Sequence, residues 1–144
     1  MELIATHVCK GQNIGVHGNL FGGVMLAWLD EAGAAFSAQV CGTPRMVTKS
    51  ISEVSFARPV RPGQIIKIYG DVLKVGTSSI TIRLEARRHS VYNGSQKSVC
   101  STDMIFVRID GDGEPVPIRT VMNKYINKRP EEIRKKFNNS NELI

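Results

Sequence analysis

The sequence has few of the residues that mark specialised protein classes. Only 6% of its 144 residues are aromatic, and no strand interleaves aromatic and basic residues, so we expect no nucleic-acid partner. The three cysteines are an odd number without metal-ligand spacing, which predicts reduced structural thiols and no metal. The first residues lack a basic stretch followed by an apolar core, so we expect no secretory signal and a cytoplasmic protein.

Long uninterrupted apolar runs are also missing. The most apolar stretch, residues 22–38, contains two acids and several small residues. A membrane-spanning helix needs about 20 predominantly apolar residues, so we expect no membrane span. With 42% hydrophobic and 22% charged residues, the chain is ordinary for a globular protein with one core.

The positive charge is concentrated at one end of the chain. The net charge is +6, and residues 118–144 contain seven basic and three acidic residues. We therefore predict a domain over residues 1–118 and a basic, partly helical C-terminal tail over residues 119–144. An anionic small ligand, such as a phosphorylated substrate, is compatible with the excess charge.

Strand patterns surround one long helix. A strand over residues 3–8 and a Gly/Asn loop over 11–19 precede the helix, which glycine and proline end near residues 41–44. Further strands are predicted over 46–56, 64–75, 78–91 and 97–109, and Asn93-Gly94 is a hairpin signal. The order predicts an α+β fold, with an antiparallel five- to six-stranded sheet wrapped around a central helix. Free strand edges and remaining apolar surface predict a dimer.

The helix carries the strongest candidate for a catalytic residue. It has no polar stripe of the usual width, so we expect other structure to cover it. Asp30 lies about two turns from its start, where a lone buried carboxylate is costly unless it is paired or functional. From the residues alone, a structural and a catalytic acid are equally supported. Glu31 points about 100° away, and we interpret it as structural or interfacial.

Two motifs resemble those of a known family. They are His17-Gly18-Asn19-Leu20-Phe21-Gly22-Gly23 and Asp30-Glu31-Ala32-Gly33-Ala34, which are similar to hot dog-fold acyl-CoA thioesterases of the cytosolic acyl-CoA hydrolase and YciA-like type. Three later segments are also similar to this family, namely Val47-Thr48, residues 56–63 and residues 75–79. The resemblance therefore covers about residues 3–118. It implies a hot dog fold and hydrolysis of acyl-CoA to a free acid and CoA. It also implies a catalytic acid at Asp30, no cofactor, and a homodimer that assembles further, for example into a hexamer.

Thioester hydrolysis needs a base or nucleophile and donors for the developing oxyanion. Asp30 can act as the general base or as the nucleophile. The helix start at Gly22 and Gly23 offers unpaired backbone N–H groups and a positive dipole end. Because Gly22 and Asp30 are eight residues apart, we expect a loop of a dimer partner to complete the site, as the resemblance also implies.

The chain departs from the family at one catalytic position. Members often carry an asparagine seven residues before the first glycine of the pair, and here that position is Gly15. Asn19 and Asn13 are the nearby amides. We predict that Asn19 takes over the orientation of water or substrate.

The resemblance also places contacts to coenzyme A on two neighbouring strands. Pantetheine is an extended amide chain that strand backbone can pair with, and serine hydroxyls and a lysine can meet its polar groups and phosphates. The positions carried over are Lys49, Ser50, Ile51, Ser78, Ser79 and Ile80.

Two other functions remain open at this point. One is a hydratase or dehydratase of acyl thioesters that uses His17 and Asp30. The other is a non-catalytic regulator that binds acyl-CoA. His7 and His89 have no partner that the sequence predicts.

Overall fold

In the computed structural model, which describes residues 1–118, one long helix packs on a six-stranded antiparallel sheet. The predicted tail, residues 119–144, lies outside the described residues. A single 3-10 turn, Gly11–Asn13, precedes the helix α1, Gly22–Cys41. The strands are β1 (Glu2–Val8), β2 (Met46–Ile51), β3 (Ser55–Phe56), β4 (Ile65–Val75), β5 (Ser79–His89) and β6 (Gln96–Arg108). The predicted α+β class is confirmed.

The sheet has β4, β5 and β6 at its centre and β1 and β2 at its two ends. The strand order is β1-β4-β5-β6-β2, and the short β3 also pairs with β6. The predicted alternation of buried and outward-facing residues in β5 is present. The residues on its buried face are fully buried, namely Ile80, Ile82, Leu84 and Ala86. Within residues 1–118, β2 thus has one edge without a neighbouring strand, which we call its free edge.

The prediction of one strand over residues 46–56 is wrong, because two irregularities divide it. Lys49 is an extra residue in β2, where the register against β6 shifts between Thr48 and Ser50. The Ser52 amide still donates to the Asp103 carbonyl at 2.9 Å. Pairing with β6 then resumes in β3, where the register has shifted by one further residue relative to the end of β2. Such bulges bend a strand and often lie beside functional sites.

One face of α1 packs on the sheet. Its buried positions recur at helical spacing and include Met25, Leu29, Phe36 and Val40. The other face is exposed at residues 23, 27, 31 and 35, so the expectation of a fully covered helix is wrong for the single chain. No helix within residues 1–118 is long and apolar enough to cross a bilayer.

Gly33 sets the distance between the helix and the sheet. A Cβ atom at this position would lie 2.8 Å from Cζ of Phe106 and 3.0 Å from Cδ1 of Leu84. Real Cβ atoms do not approach that closely in a well-packed core. The absence of a side chain therefore lets α1 lie directly on β5 and β6.

Candidate active site

Asp30 projects from α1 toward β2, where it has a hydrogen-bond partner. The Thr48 hydroxyl donates to Asp30 Oδ1 at 2.6 Å, a length typical of a donor to a charged oxygen. Asp30 is also partly exposed. The premise of a lone buried carboxylate is therefore wrong. Among residues 1–118, Asp30 Oδ2 has no hydrogen-bond partner, which leaves it accessible to water or substrate.

The first two amides of α1 are unpaired. The amides of Val24 and Met25 donate to the Phe21 carbonyl at 3.0 and 3.2 Å. Those of Gly22 and Gly23 have no acceptor among the described residues. Phe21, the N-cap residue, makes no side-chain capping bond. Such amides, at the positive end of the helix dipole, can stabilise a developing oxyanion.

Two exposed phenylalanines lie against this glycine pair. Phe21 is 60% exposed and Phe56 is 53% exposed. A Cβ atom on Gly23 would lie 2.8 Å from Cε2 of Phe21, and one on Gly22 would lie 3.4 Å from Cζ of Phe56. Glycine at both positions thus keeps the amides approachable between the two rings.

Asn19 and Asn13, the two candidate amides, differ in how their oxygens are used. Oδ1 of Asn13 accepts a 2.9 Å hydrogen bond from the Lys10 amide at the 3-10 turn. Oδ1 of Asn19 is buried and has no partner among the described residues. Unpaired buried acceptors are rare in folded proteins and call for an explanation. The structure thus leaves Asn19, and not Asn13, with an unpaired side-chain oxygen.

Gly15, at the position of the family asparagine, lies across a tight turn from Asn19. The Gly15 amide donates to the Asn19 carbonyl at 2.8 Å. Gly18 completes the turn with φ of 77°, a conformation that favours glycine. The turn therefore carries Asn19 to the start of α1.

Two cavities of about 440 Å³ each adjoin the start of α1. Asn19, Leu20 and Gly22 border both of them. We call the first the inner cavity, which lies between α1 and the β3–β6 side, and the second the loop cavity. The inner cavity is otherwise lined by Met25, Phe56, Ala57, Arg58, Pro59, Val60 and Val99. The loop cavity is otherwise lined by residues 12–17, Phe21 and Val24.

The predicted coenzyme A contacts do not lie on neighbouring strands, because β6 separates β2 from β5. Val47 of β2 and Ser79 of β5 both pair with Val107, one on each side of it. Adjacent strands are about 4.8 Å apart, so β2 and β5 are about 10 Å apart across the sheet. The two groups of residues are also offset by about two residues along β6, since Ser50 pairs with Ile105 and Ser79 with Val107. The expectation of adjacent strands is therefore wrong.

The two groups also differ in what they offer a ligand. Lys49, Ser50 and Ile51 are exposed at the free edge of β2. Ser79 and Ser78 are partly exposed. Ile80 is fully buried in the interior of the sheet and presents no polar side-chain group.

The other candidate nucleophiles and bases are less favourably placed. His17 is exposed and makes no hydrogen bond to Asp30 within the described part of the chain. Burial raises the pKa of the Cys41 thiol to about 12 and that of Cys100 to about 11. These thiols are protonated at neutral pH and are therefore not nucleophiles. Residues 1–118 hold no cluster of three or more His, Cys, Asp or Glu suited to a metal ion.

His7 has a partner that sequence reasoning missed. Its ring stacks on Trp28, with centroids 4.3 Å apart and planes inclined by 8°. Burial lowers the pKa of His7, partly offset by the nearby Glu31 carboxylate, while Lys10 adds to the lowering. The stack joins β1 to α1, about one and a half turns after the glycine pair.

Comparisons with known proteins agree with this architecture. A model of the thioesterase superfamily matches residues 17–94. An uncharacterized acyl-CoA thioester hydrolase of Buchnera aphidicola is 33% identical over 102 residues, 69% of this chain and 75% of that protein. The acyl-CoA thioester hydrolase YciA of Salmonella typhimurium is 28% identical over 81% of this chain and 90% of that protein. A crystal structure of a hexameric hot dog-fold thioesterase of Campylobacter jejuni is 30% identical, with a TM-score of 0.76 over 86% of this chain and 95% of that one.

Proposed function

Because the chain belongs to the thioesterase superfamily and has the hot dog fold, we propose that it hydrolyses acyl-CoA to a free carboxylic acid and CoA. The observation that carries this proposal is the Asp30 carboxylate, which Thr48 holds on a helix whose first amides are unpaired. The names of the relatives, acyl-CoA thioester hydrolases, support the choice of substrate.

In the proposed reaction, Asp30 Oδ2 takes a proton from a water molecule as the water oxygen attacks the thioester carbon. The amides of Gly22 and Gly23 stabilise the negative charge that develops on the carbonyl oxygen. The tetrahedral intermediate then breaks its C–S bond, and the CoA thiolate takes up the proton. Alternatively, Asp30 attacks the thioester carbon directly, the C–S bond breaks, and the CoA thiolate leaves and takes a proton from water. Water then hydrolyses the resulting anhydride to the free acid and the Asp30 carboxylate. Coenzyme A enters only as part of the substrate and leaves as product.

Asn19 is proposed to orient the attacking water. Its unpaired Oδ1 is an acceptor with no competing donor among the described residues. The residue lines the same two cavities as Gly22, so a small rotation of its side chain would bring this oxygen to a bound water. A water that donates one hydrogen to Asn19 keeps a second for the base. This arrangement would replace the family asparagine, whose position is Gly15.

One copy of the chain does not bring these groups together. Gly22 and Asp30 are separated by eight residues, or about 12 Å along the helix axis. We therefore propose a homodimer as the smallest active unit, in which Gly22 of one protomer faces Asp30 of the partner subunit. The exposed helix face and the free edge of β2 offer surfaces for this contact. Three such dimers would form a hexamer, the assembly of the similar Campylobacter thioesterase.

The proposed contacts to coenzyme A are those with exposed polar groups. Lys49 can meet phosphates, Ser50 and the backbone of Ile51 can meet pantetheine amides, and the Ser78 and Ser79 hydroxyls can contribute from β5. The three free cysteines favour a reducing compartment. We therefore place the reaction in the cytoplasm.

The proposal is tested by free-thiol release from a panel of straight-chain acyl-CoAs of increasing length. We expect one CoA thiol released for each acid formed, with at least one chain length turned over efficiently. A hydratase or dehydratase that uses His17 and Asp30 would change the acyl group without releasing CoA. A non-catalytic regulator would bind the panel and release nothing. Either result would overturn the proposed hydrolysis.

A further inference from the structure

We propose that a third cavity, remote from the proposed coenzyme A contacts, binds a small phosphorylated ligand with a planar body. It has a volume of about 500 Å³ and lies beside the β5–β6 hairpin. We call it the basic cavity, and it is lined by residues 62–65, 88–92, 95 and 97. The inference goes beyond the proposed hydrolysis and does not rest on it.

The basic cavity carries positive charge that no carboxylate balances. Arg88 and Lys97 both line it, and they pair directly across β5 and β6. Like charges at directly opposite positions destabilise a sheet. None of the lining residues is Asp or Glu, and neither cation has an ion-pair partner among residues 1–118. An anion bound between the two side chains would offset their repulsion.

Hydrogen-bond donors that line the basic cavity are only partly used. Nη1 of Arg88 donates to the Pro59 carbonyl at 2.9 Å, and the other guanidinium nitrogens have no acceptor among the described residues. The side-chain oxygen of Gln96 faces Arg87 at 3.4 Å, so the amide nitrogen of Gln96 donates to Nδ1 of His89 at 3.0 Å. The hydrogen of neutral His89 is therefore on Nε2, and no described residue accepts it.

The charge and the shape of the lining indicate the class of ligand. A phosphate monoester carries a charge of about −1.5 to −2 at pH 7 and three acceptor oxygens, which matches two unbalanced cations. A single carboxylate would balance only one of them. Ile65 and Val91 add apolar surface, and Tyr92, which is 96% exposed, offers the face of a planar ring. A nucleoside monophosphate combines a phosphate with a planar base that can stack on such a ring.

The basic cavity is separate from the proposed substrate site. Ser79, a proposed contact to coenzyme A, is the first residue of β5, and His89 is the last. These ten steps correspond to about 33 Å along the strand. No described residue lines both the basic cavity and either cavity at the start of α1. Its lining also includes neither the exposed face of α1 nor the free edge of β2, where the dimer contact is proposed.

Isothermal titration of the full chain with adenosine monophosphate (AMP), at saturating CoA, tests the assignment. We expect one AMP bound per chain, at least about tenfold more tightly than adenosine, which lacks the phosphate. Lys97→Gln should weaken AMP binding by about tenfold, because it removes one of the two exposed cations. Lys74→Gln, the same change of charge at an exposed position near the other end of β4, is the matched control and should bind AMP like wild type.

Four results would overturn the inference. AMP that does not bind, or binds no more tightly than adenosine, would exclude a phosphate site. AMP binding that is present without CoA and lost at saturating CoA would assign the phosphate to the substrate's own site. Equal affinities of Lys97→Gln and wild type would place the ligand elsewhere. If Lys97→Gln does not fold, Arg88→Gln provides the same test. None of these results bears on hydrolysis, which the release of free thiol measures separately.

Discussion

Thr48 and Asp30 are joined by a 2.6 Å hydrogen bond from the Thr48 hydroxyl to Asp30 Oδ1, which links β2 to α1. Thr48 immediately precedes the register shift at Lys49, so the bulge lies next to the residue that holds the acid. The bond restricts rotation of the carboxylate and keeps Oδ2 accessible. Thr48 is therefore a positioning residue for the proposed base.

Two substitutions of Thr48 distinguish the effect of its hydroxyl group from the effect of its side-chain packing. Thr48→Val keeps the shape and removes the donor, so we expect kcat to fall by about tenfold with little change in KM. Thr48→Ser keeps the donor and should remain close to wild type. Steady-state kinetics on the best acyl-CoA would measure both. Equal losses in the two variants would instead indicate that the methyl group matters through packing.

Asn19→Ala and Asn13→Ala should have different effects on turnover. Asn19 has an unpaired buried oxygen, and its loss should lower kcat by about tenfold or more. The Asn13 oxygen already accepts from the Lys10 amide, so Asn13→Ala should affect local stability and leave kcat near normal. The same kinetic assay compares them. Small and equal effects would show that neither residue replaces the family asparagine.

The stack of His7 on Trp28 predicts a pH-dependent stability. Burial lowers the pKa of folded His7 below its unfolded value of about 6.5, so the unfolded chain binds more protons between the two values. The contribution of neutral His7 to the free energy of unfolding is therefore complete above pH 6.5. It is lost as the pH falls toward the pKa of His7 in the folded protein.

The only tryptophan of the chain reports on this titration directly. Trp28 fluorescence should titrate with a midpoint below pH 6.5, and Tm should fall over the same range. His7→Phe keeps a stacked ring and should remove both changes. A titration that persists in His7→Phe would assign it to another group.

Gly33→Ala should destabilise the fold. The added methyl would meet Phe106 and Leu84 at 3.0 Å or less, and overpacking of this kind costs about 1–3 kcal/mol. Gly11→Ala is the control, since nothing lies within 4 Å of a methyl group there. Urea unfolding gives both free energies. A Gly33→Ala protein as stable as wild type would show that the helix can move away from the sheet at no cost.

Local signals predicted most of the fold. Gly42 adopts φ of 70° and ends α1 where glycine and proline predicted a stop, and Gly94 adopts φ of 74° at the predicted hairpin. Alternation predicted which face of β5 is buried. The family resemblance is confirmed by the thioesterase superfamily match over residues 17–94. Each of these signals lies within a few residues of the structure it describes.

The features that were missed depend on contacts between distant parts of the chain. The bond between Thr48 and Asp30 spans 18 residues, and no periodicity of either element encodes it. The stack of His7 on Trp28 likewise joins β1 to α1. The bulge at Lys49 depends on its pairing with β6, so the pattern of β2 alone suggested a continuous strand. The proposed roles of Asp30, Asn19, Gly22 and Gly23 remain predictions for mutagenesis.

The rate of CoA release by Asp30→Asn tests the proposed catalysis most directly. The amide keeps the shape of the carboxylate, and its oxygen can still accept from Thr48, so the fold and CoA binding should be retained. Glu114→Gln, an exposed acid in the turn after β6, is the control and should stay near the wild-type rate. We expect kcat of Asp30→Asn to fall by about a hundredfold or more, because an amide is neither a base nor a nucleophile. Turnover near the wild-type rate in folded Asp30→Asn would contradict the catalytic assignment and make Asp30 a structural residue.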